Sequence, residues 1–251
     1  MEQLINKNIA DIKVDIVIPV LNEAHVLEKS VGIVRDFLKK SFKYQWDVVI
    51  VDNGSTDGTF EVARTLADRY DDVRFVYLEE KGRGRALREA WQKSSSDVVL
   101  YIDVDLSTEL AALTKLVNAL VYEGYDISIG SRLAKGSVTK RCFKREITSR
   151  AYNLFVKCIL FTNFSDAQCG CKAMTRDVVD KIIPHVKDQE WFFDTELLVL
   201  AEKSGRKIKD IPVTWIEDDD SRVKIIPTAW EDIKGVFRLR WMLFKHMPKS
   251  L

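Results

Sequence analysis

No stretch of about 18 consecutive apolar residues occurs in the chain, so a membrane-spanning helix is not expected. The opening segment MEQLINKNIADIK has no apolar core of the kind a secretory leader carries. Cysteine is sparse: Cys142, Cys158, Cys169 and Cys171 suit a reducing compartment better than a disulfide scaffold. Cys169-Gly170-Cys171 has no nearby histidine or second cysteine pair, which argues against zinc and for buried free thiols. Charge of one sign is lacking too. With 39 Lys and Arg against 38 Asp and Glu, the net charge of +1 argues against a general nucleic-acid binder. There is no G-x-x-x-x-G-K-[ST] loop and no G-x-G-x-x-G, so neither a Walker site nor a dinucleotide fingerprint is present. No repeat, low-complexity tract or linker divides the chain, which reads as one domain over residues 1–251.

What is there is an alternation. Val14–Pro19, Asp47–Asp52, Val73–Leu78, Val98–Ile102 and Asp126–Gly130 are short apolar runs that read as buried strands. Between them lie helical patterns: Leu27, Val31, Val34, Leu38; Phe60, Ala63, Leu66, Tyr70; Gly82–Lys93; and Leu110, Leu113, Val117, Leu120, stopped by Gly124. The β-α-β-α order predicts an α/β fold with a mostly parallel sheet flanked by helices. After Gly130 the rhythm breaks. Arg132 to Lys157 holds eight Lys or Arg and one acid, Glu146. An apolar stripe, Ala151 to Leu160, predicts a helix there, followed by a polar loop over Asp166–Lys172 and a short strand or turn. A helix around Phe193–Lys203 and a strand over Lys207–Trp215 come next. The last segment, Thr228–His246, reads as a helix with Trp230, Ile233, Phe237, Trp241 and Phe244 on one face, flanked by cations.

Asp103 and Asp105 stand at the end of the Val98–Ile102 strand with one residue between them. Residues i and i+2 of a strand share a face, so both carboxylates are expected to converge. Two adjacent carboxylates repel, and a divalent cation relieves that. Mg²⁺ or Mn²⁺ suits one or two carboxylates plus substrate phosphate oxygens. The bland alternative is that these acids cap the helix starting near Thr108–Glu109. The position at a strand's carboxyl end favours the metal, because ligands of open α/β sheets bind there.

Taken together, IPVLNE (Ile18–Glu23), VDNGSTDGT (Val51–Thr59), KGRGRALREAW (Lys81–Trp91), DVDLS (Asp103–Ser107), GSR (Gly130–Arg132), KREITSR (Lys144–Arg150), DAQCGCKA (Asp166–Ala173) and WFFDTELL (Trp191–Leu198) resemble the family-2 glycosyltransferases of GT-A fold. The branch most similar is the polyprenyl-phosphate or dolichyl-phosphate hexosyltransferases, glucosyltransferase type first and mannosyltransferase type second. Cys171 stands where that family usually has Phe, and Val104 where Ala is common.

The resemblance implies a nucleotide-sugar half over residues 14–130, an acceptor part over 131–226 and an amphipathic helix over 227–251. Pro19, Asn22, Glu23, Val51, Asp52, Lys81, Asp103 and Asp105 match donor-binding positions. Asp103 and Asp105, with Ser107 assisting, would hold Mg²⁺ or Mn²⁺. The glycines of the Lys81–Arg85 loop would let the backbone pass close to the sugar nucleotide, with one cation meeting its diphosphate and Arg83 and Arg88 equally readable as solvated charge. Arg132, Arg145 and Ser149 match acceptor-phosphate positions, and Arg suits bidentate phosphate contacts. Asp105 and Asp194 are the catalytic candidates, Asp194 as base or orienting group. Glu196, the other acid of that segment, could equally pair with Arg or Lys of the basic helix, and Asp166 is expected to frame the sugar or shape its loop. Arg222 and Lys224 match a loop that closes over the diphosphate.

The implied reaction is an inverting, metal-dependent transfer of a hexose to polyprenyl phosphate. UDP-glucose is the first donor, with GDP-mannose and UDP-N-acetylglucosamine open. A hydroxyl acceptor and a non-catalytic nucleotide-sugar binder are the rival readings. Some relatives carry membrane helices and this chain is not expected to. It is therefore expected in the cytoplasm, peripheral to a membrane surface or docked on a membrane-anchored partner.

Overall fold

A computed structural model describes residues 7–216 and 225–245 of the chain. Its strands and helices, in order, are β1 (Lys13–Val20), α1 (Ala24–Ser41), β2 (Gln45–Asn53), α2 (Thr59–Arg69), β3 (Val73–Leu78), α3 (Arg83–Lys93), β4 (Val98–Ile102), α4 (Ala111–Val121), β5 (Ile127–Ser131), β6 (Val138–Lys140), α5 (Phe143–Leu160), β7 (Cys171–Thr175), α6 (Arg176–Lys181), α7 (Phe193–Lys203), β8 (Ile208–Pro212), β9 (Thr214–Ile216) and α8 (Ile225–Lys245). Seven strands form one sheet in the order β3-β2-β1-β4-β7-β5-β8. All run parallel except β7, which is antiparallel to both neighbours.

The strands carry apolar residues on both faces because both faces are covered. Ile16, Ile18, Val48, Ile50, Val98 and Leu100 pack with Leu27, Val31 and Val34 of α1 and Leu113, Leu116 and Val117 of α4. The alternate positions Val17, Val49, Val51, Val99 and Tyr101 pack with α3, α7 and the inner residues of α5 and α8. The sheet alternation thus sorts the core into two layers.

Two expectations are corrected. The short strand after the Asp166–Lys172 loop is a fully buried central strand, β7, wedged between β4 and β5. Being antiparallel, it enters the sheet where β4 leaves it: Ile102 pairs with Cys171, and Asp103 N–H donates to the Gly170 carbonyl at 3.2 Å. That orientation brings the 166–170 loop to the carboxyl ends of the parallel strands. The segment Lys207–Trp215 is two strands, broken at Val213, with β8 pairing β5 and β9 pairing β6. No helix among the described residues is long and apolar enough to cross a membrane.

Candidate active site

The turns after β1 and β2 interlock. Asn22 takes a left-handed conformation, φ 58°, and its Oδ1 accepts Thr56 N–H at 2.8 Å, while its own N–H donates to Ser55 Oγ at 2.9 Å. Glu23 N–H donates to Thr59 Oγ1 at 2.8 Å. Asp52 Oδ1 accepts Ser55 N–H at 3.0 Å, so the turn-capping role is real. Its other oxygen, Oδ2, is buried with no partner among the described residues, as is Asn53 Oδ1. Buried polar atoms are ordinarily hydrogen-bonded, so this pair marks a place for a polar ligand. Pro19 is half-buried and pairs in register with Val51, which lies in the core and can offer a ligand only its backbone. Lys81 is exposed.

Asp103 and Asp105 lie beyond β4, which ends at Ile102. They stand on a turn closed by Leu106 N–H to the Asp103 carbonyl at 3.2 Å, so strand alternation does not govern their directions. Asp105 Oδ1 accepts Ser107 N–H at 2.9 Å. Neither acid caps α4, whose N-cap is Leu110 without a side-chain bond. Ser107 Oγ is buried without a partner among the described residues. Two carboxylates and an unmet hydroxyl on one turn fit a hard cation completed by ligand oxygens. Among the described residues no three His, Cys, Asp or Glu side chains form a metal cluster on their own.

Directly beneath Asp103 lies a buried charge network. Arg83 Nη2 donates to Asp103 Oδ1 at 2.8 Å, and Nη1 donates to Asp194 Oδ2 at 2.6 Å. The guanidinium lies 4.8 Å from the Tyr101 ring centre. Lys172, fully buried, donates to the Tyr101 hydroxyl at 2.8 Å and the Cys169 carbonyl at 2.7 Å, and its ammonium is 3.0 Å from Asp194 Oδ1. Tyr101 and Lys172 reach each other because they are register partners on β4 and β7. Burial alone would raise the Asp194 carboxyl. Lys172, Arg83 and the Tyr101 hydroxyl overcome it and hold Asp194 below its ordinary range.

The sequence reading missed Arg83 and Lys172 as buried members of this network. Nor is Arg88 solvated: it donates to the Val186 and Asp188 carbonyls. The loop glycines serve the protein's own packing. A Cβ on Gly82 would meet the Gln189 carbonyl at 2.7 Å, and one on Gly84 would meet Phe193 at 2.5 Å. Gly84→Ala is therefore expected to destabilise the fold by about 1–3 kcal/mol through overpacking. Thermal denaturation should show a melting temperature lower by about 3–10 °C.

The cationic side of the site is built on β5 and α5. Arg132 grips Asp166 in a bidentate pair, Nε to Oδ2 at 2.7 Å and Nη2 to Oδ1 at 2.9 Å. Burial pulls the Arg132 guanidinium down, and Asp166 more than offsets it, so the net direction is up. The Trp215 ring has Arg132 at 5.5 Å and Arg141 at 6.0 Å. Trp215 bridges to Thr108, and Ile216 N–H donates to the Ser107 carbonyl at 2.9 Å. One residue, Trp215, therefore joins the end of the acidic turn through its backbone to the cations through its ring. Arg145 follows on the first turn of α5, half-buried, with Ser149 one turn later. Ser149 Oγ is buried without a partner among the described residues. Arg141, not singled out in the sequence, pairs with Glu146.

Glu196 does meet a cation, but on α8: Arg238 Nη2 donates to its Oε2 at 2.8 Å. Cys169 and Cys171 are buried free thiols, as expected. Burial pushes the Cys169 thiol up to about 12. Arg222 and Lys224 lie outside the described residues.

The sequence matches the model of glycosyl transferase family 2 over residues 15–183. Glycosyltransferase AglD of Haloferax volcanii is 33% identical over 240 residues, covering 93% of this chain; the chain spans only 38% of that protein's length. A dolichyl-phosphate beta-glucosyltransferase of Dictyostelium discoideum is 28% identical over 250 residues, covering 94% of this chain and 76% of that one. Among solved structures, glucosyl-3-phosphoglycerate synthase from Mycobacterium tuberculosis, in complex with Mn²⁺, UDP-glucose and phosphoglyceric acid, superposes with a TM-score of 0.70 at 18% identity, covering 91% of this chain and 80% of that one. At that identity the likeness speaks for the fold, which is that of the GT-A glycosyltransferases.

Proposed function

The chain belongs to glycosyl transferase family 2, and from that premise we propose that it transfers glucose, with inversion, from UDP-glucose to a polyprenyl phosphate. The observation that carries this reading is the strand Thr214–Ile216, which joins the end of the acidic turn by backbone pairing at Ser107 and Thr108 and lays the Trp215 ring against the Arg132 and Arg141 guanidiniums. Such an arrangement suits a reaction with a metal-bound diphosphate on one side and a phosphate nucleophile on the other. The solved relative's Mn²⁺ and UDP-glucose, and the curated relative's dolichyl-phosphate substrate, support the choice of ligands.

Asp52, with the Asn22 and Glu23 turn, would take the nucleoside, a carboxylate accepting base or ribose donors. Asp103, Asp105 and Ser107 would hold Mg²⁺ or Mn²⁺. When bound, such an ion neutralises charge on the departing diphosphate. Arg145 and Ser149 would seat the acceptor phosphate, which as a monoester has its second pKa near about 6 and arrives as a dianion. It needs alignment rather than deprotonation. Asp194, with both oxygens engaged by Arg83, Lys172 and Tyr101, is suited to orienting those groups and not to taking a proton. This favours a phosphate acceptor over a hydroxyl, which would require a base.

The acceptor's prenyl tail requires a bilayer. Trp230, Phe237, Trp241 and Phe244 on α8 are exposed, up to 80% for Phe244, as are Leu154 on α5 and Phe161 just past its end. Lys234, Arg240 and Lys245 stack on the rings of Trp230, Phe161 and Trp241. An apolar surface edged by cations suits the boundary of an anionic leaflet.

The test is a panel of radiolabelled UDP-glucose, GDP-mannose and UDP-N-acetylglucosamine against polyprenyl phosphate, counting butanol-extractable label. Label from UDP-glucose, abolished by EDTA, is expected. Arg145→Ala should raise KM for the lipid phosphate about 10–100-fold, the worth of a charge-assisted contact, while KM for UDP-glucose holds. No extractable label from any donor would end the proposal, as would an Arg145→Ala variant with unchanged KM for the lipid.

A further inference from the structure

Helix α8 has two unlike faces. The outer one carries the exposed aromatic row. The inner one buries Asp232, Gly235, Val236 and Leu239. Through this inner face α8 touches two loops, 187–192 and 166–170, of which the second lies at the site. A Cβ on Gly235 would come within 2.5 Å of the Phe192 ring, and Arg238 reaches Glu196, which accepts the Lys187 and Asp188 N–H groups. Asp232 reaches the other loop: its Oδ2 accepts from Gln168 Nε2 at 2.9 Å. Asp232 Oδ1 is buried without a partner among the described residues, and burial pushes the carboxyl up to about 7. A buried carboxyl met on one side only costs stability, so this position is not explained by packing.

Gln168 is the middle of the 166–170 loop, and the rest of that loop is committed to the site. Asp166 holds Arg132, the Cys169 carbonyl accepts from Lys172, and the Gly170 carbonyl accepts Asp103 N–H. Gly170 also lies so close to Asp103 that a Cβ there would sit 1.7 Å from Oδ2. Any shift of the loop moves the Asp103 carboxylate.

We propose that Asp232 is a positioning residue for the metal site: through Gln168 it fixes the 166–170 loop against Asp103, so that the seat of α8 sets how Asp103 takes a divalent cation. This rests on the reading of Asp103 as a metal ligand. It also places the exposed aromatic face and the metal site on the two sides of one helix.

The experiment is a Mn²⁺ titration in the presence of UDP, followed by electron paramagnetic resonance of free Mn²⁺, on the full chain. Asp232→Ala and Gln168→Ala are each expected to raise the Kd for Mn²⁺ about tenfold, the effect typical of groups that orient a metal ligand. Asp232→Asn, which keeps a carbonyl acceptor for Gln168, should restore most of the affinity. Gln168→Ala cuts the bond from the loop side and decides the matter even where Asp232→Ala fails to fold. Wild-type affinity in Gln168→Ala overturns the proposal, as does an Asp232→Asn variant as weak as Asp232→Ala. A wild-type chain that binds no Mn²⁺ overturns the metal reading itself and the proposal with it.

Discussion

Asp103→Asn is expected to lower kcat/KM by about a thousandfold while leaving the protein folded. The amide has the shape of the carboxylate, and its oxygen can still accept from Arg83 Nη2, now at 2.8 Å. What it loses is the charge that a hard cation requires of its ligands. Neutralising the departing diphosphate is worth several kcal/mol in the transition state, and about 4 kcal/mol corresponds to a factor of about a thousand. Folding is spared because Arg83 keeps its second partner, Asp194, at 2.6 Å. Initial rates across a Mn²⁺ titration, with a thermal melt of the same preparation, separate the two effects. A variant within tenfold of wild type at saturating Mn²⁺ would show that Asp103 does not hold the ion.

The layers of the fold were legible because they follow from period and burial. Strands such as Val14–Pro19 are apolar at every position but Asp15, which a helix-covered parallel sheet demands. The central place of β7 was not legible. Five residues, Cys171–Thr175, carry no sign of which strands they will pair with. Only the sheet order reveals that they close the gap between β4 and β5. The acidic pair was found for its chemistry, but the turn it stands on was not, since the strand stops one residue short of Asp103.

Arg83 and Lys172 were missed because their buried partner is not local. Arg83 stands in a charged run and Lys172 at the end of a polar loop, and in either setting a cation gives no sign of burial until its partner is located, while Asp194 is far away in sequence. The last helix taught the converse. Its aromatic stripe was plain, yet the face turned inward is the one with Asp232 and Gly235. Close approach to Phe192 needs a residue without Cβ, and Gly235 supplies it beside the buried Val236 and Leu239.

The largest loss of stability is expected from Lys172→Met. The ammonium of Lys172 has three protons and three acceptors within 3.0 Å: Asp194 Oδ1, the Tyr101 hydroxyl and the Cys169 carbonyl. Methionine fills similar volume but leaves the buried Asp194 carboxylate short of its foremost charged partner. Breaking a buried pair from one side typically costs about 3–5 kcal/mol, which for a domain of this size lowers the melting temperature by about 6–20 °C. The pH dependence has a definite sign. In the wild type Asp194 titrates below its ordinary range, so its contribution is present above the unfolded carboxyl value, about 3.9, and is lost as pH falls through the folded one. Without Lys172, burial governs and the folded value climbs. The difference in unfolding free energy between wild type and variant should therefore be widest near pH 7 and narrow as pH falls below the ordinary carboxyl range and through the lowered wild-type value, where the carboxylate becomes protonated in both. Urea denaturation at a series of pH values measures it. A deficit that does not change with pH would mean that Lys172 stabilises the fold through packing of its chain rather than through its charge on Asp194. The same substitution removes one of the two cations that share Asp194, leaving Arg83 more strongly drawn to that carboxylate and away from Asp103. With the guanidinium competing less for Asp103, metal affinity should hold or rise in this variant while stability falls, the reverse of Asp103→Asn, where metal affinity is lost and stability is spared.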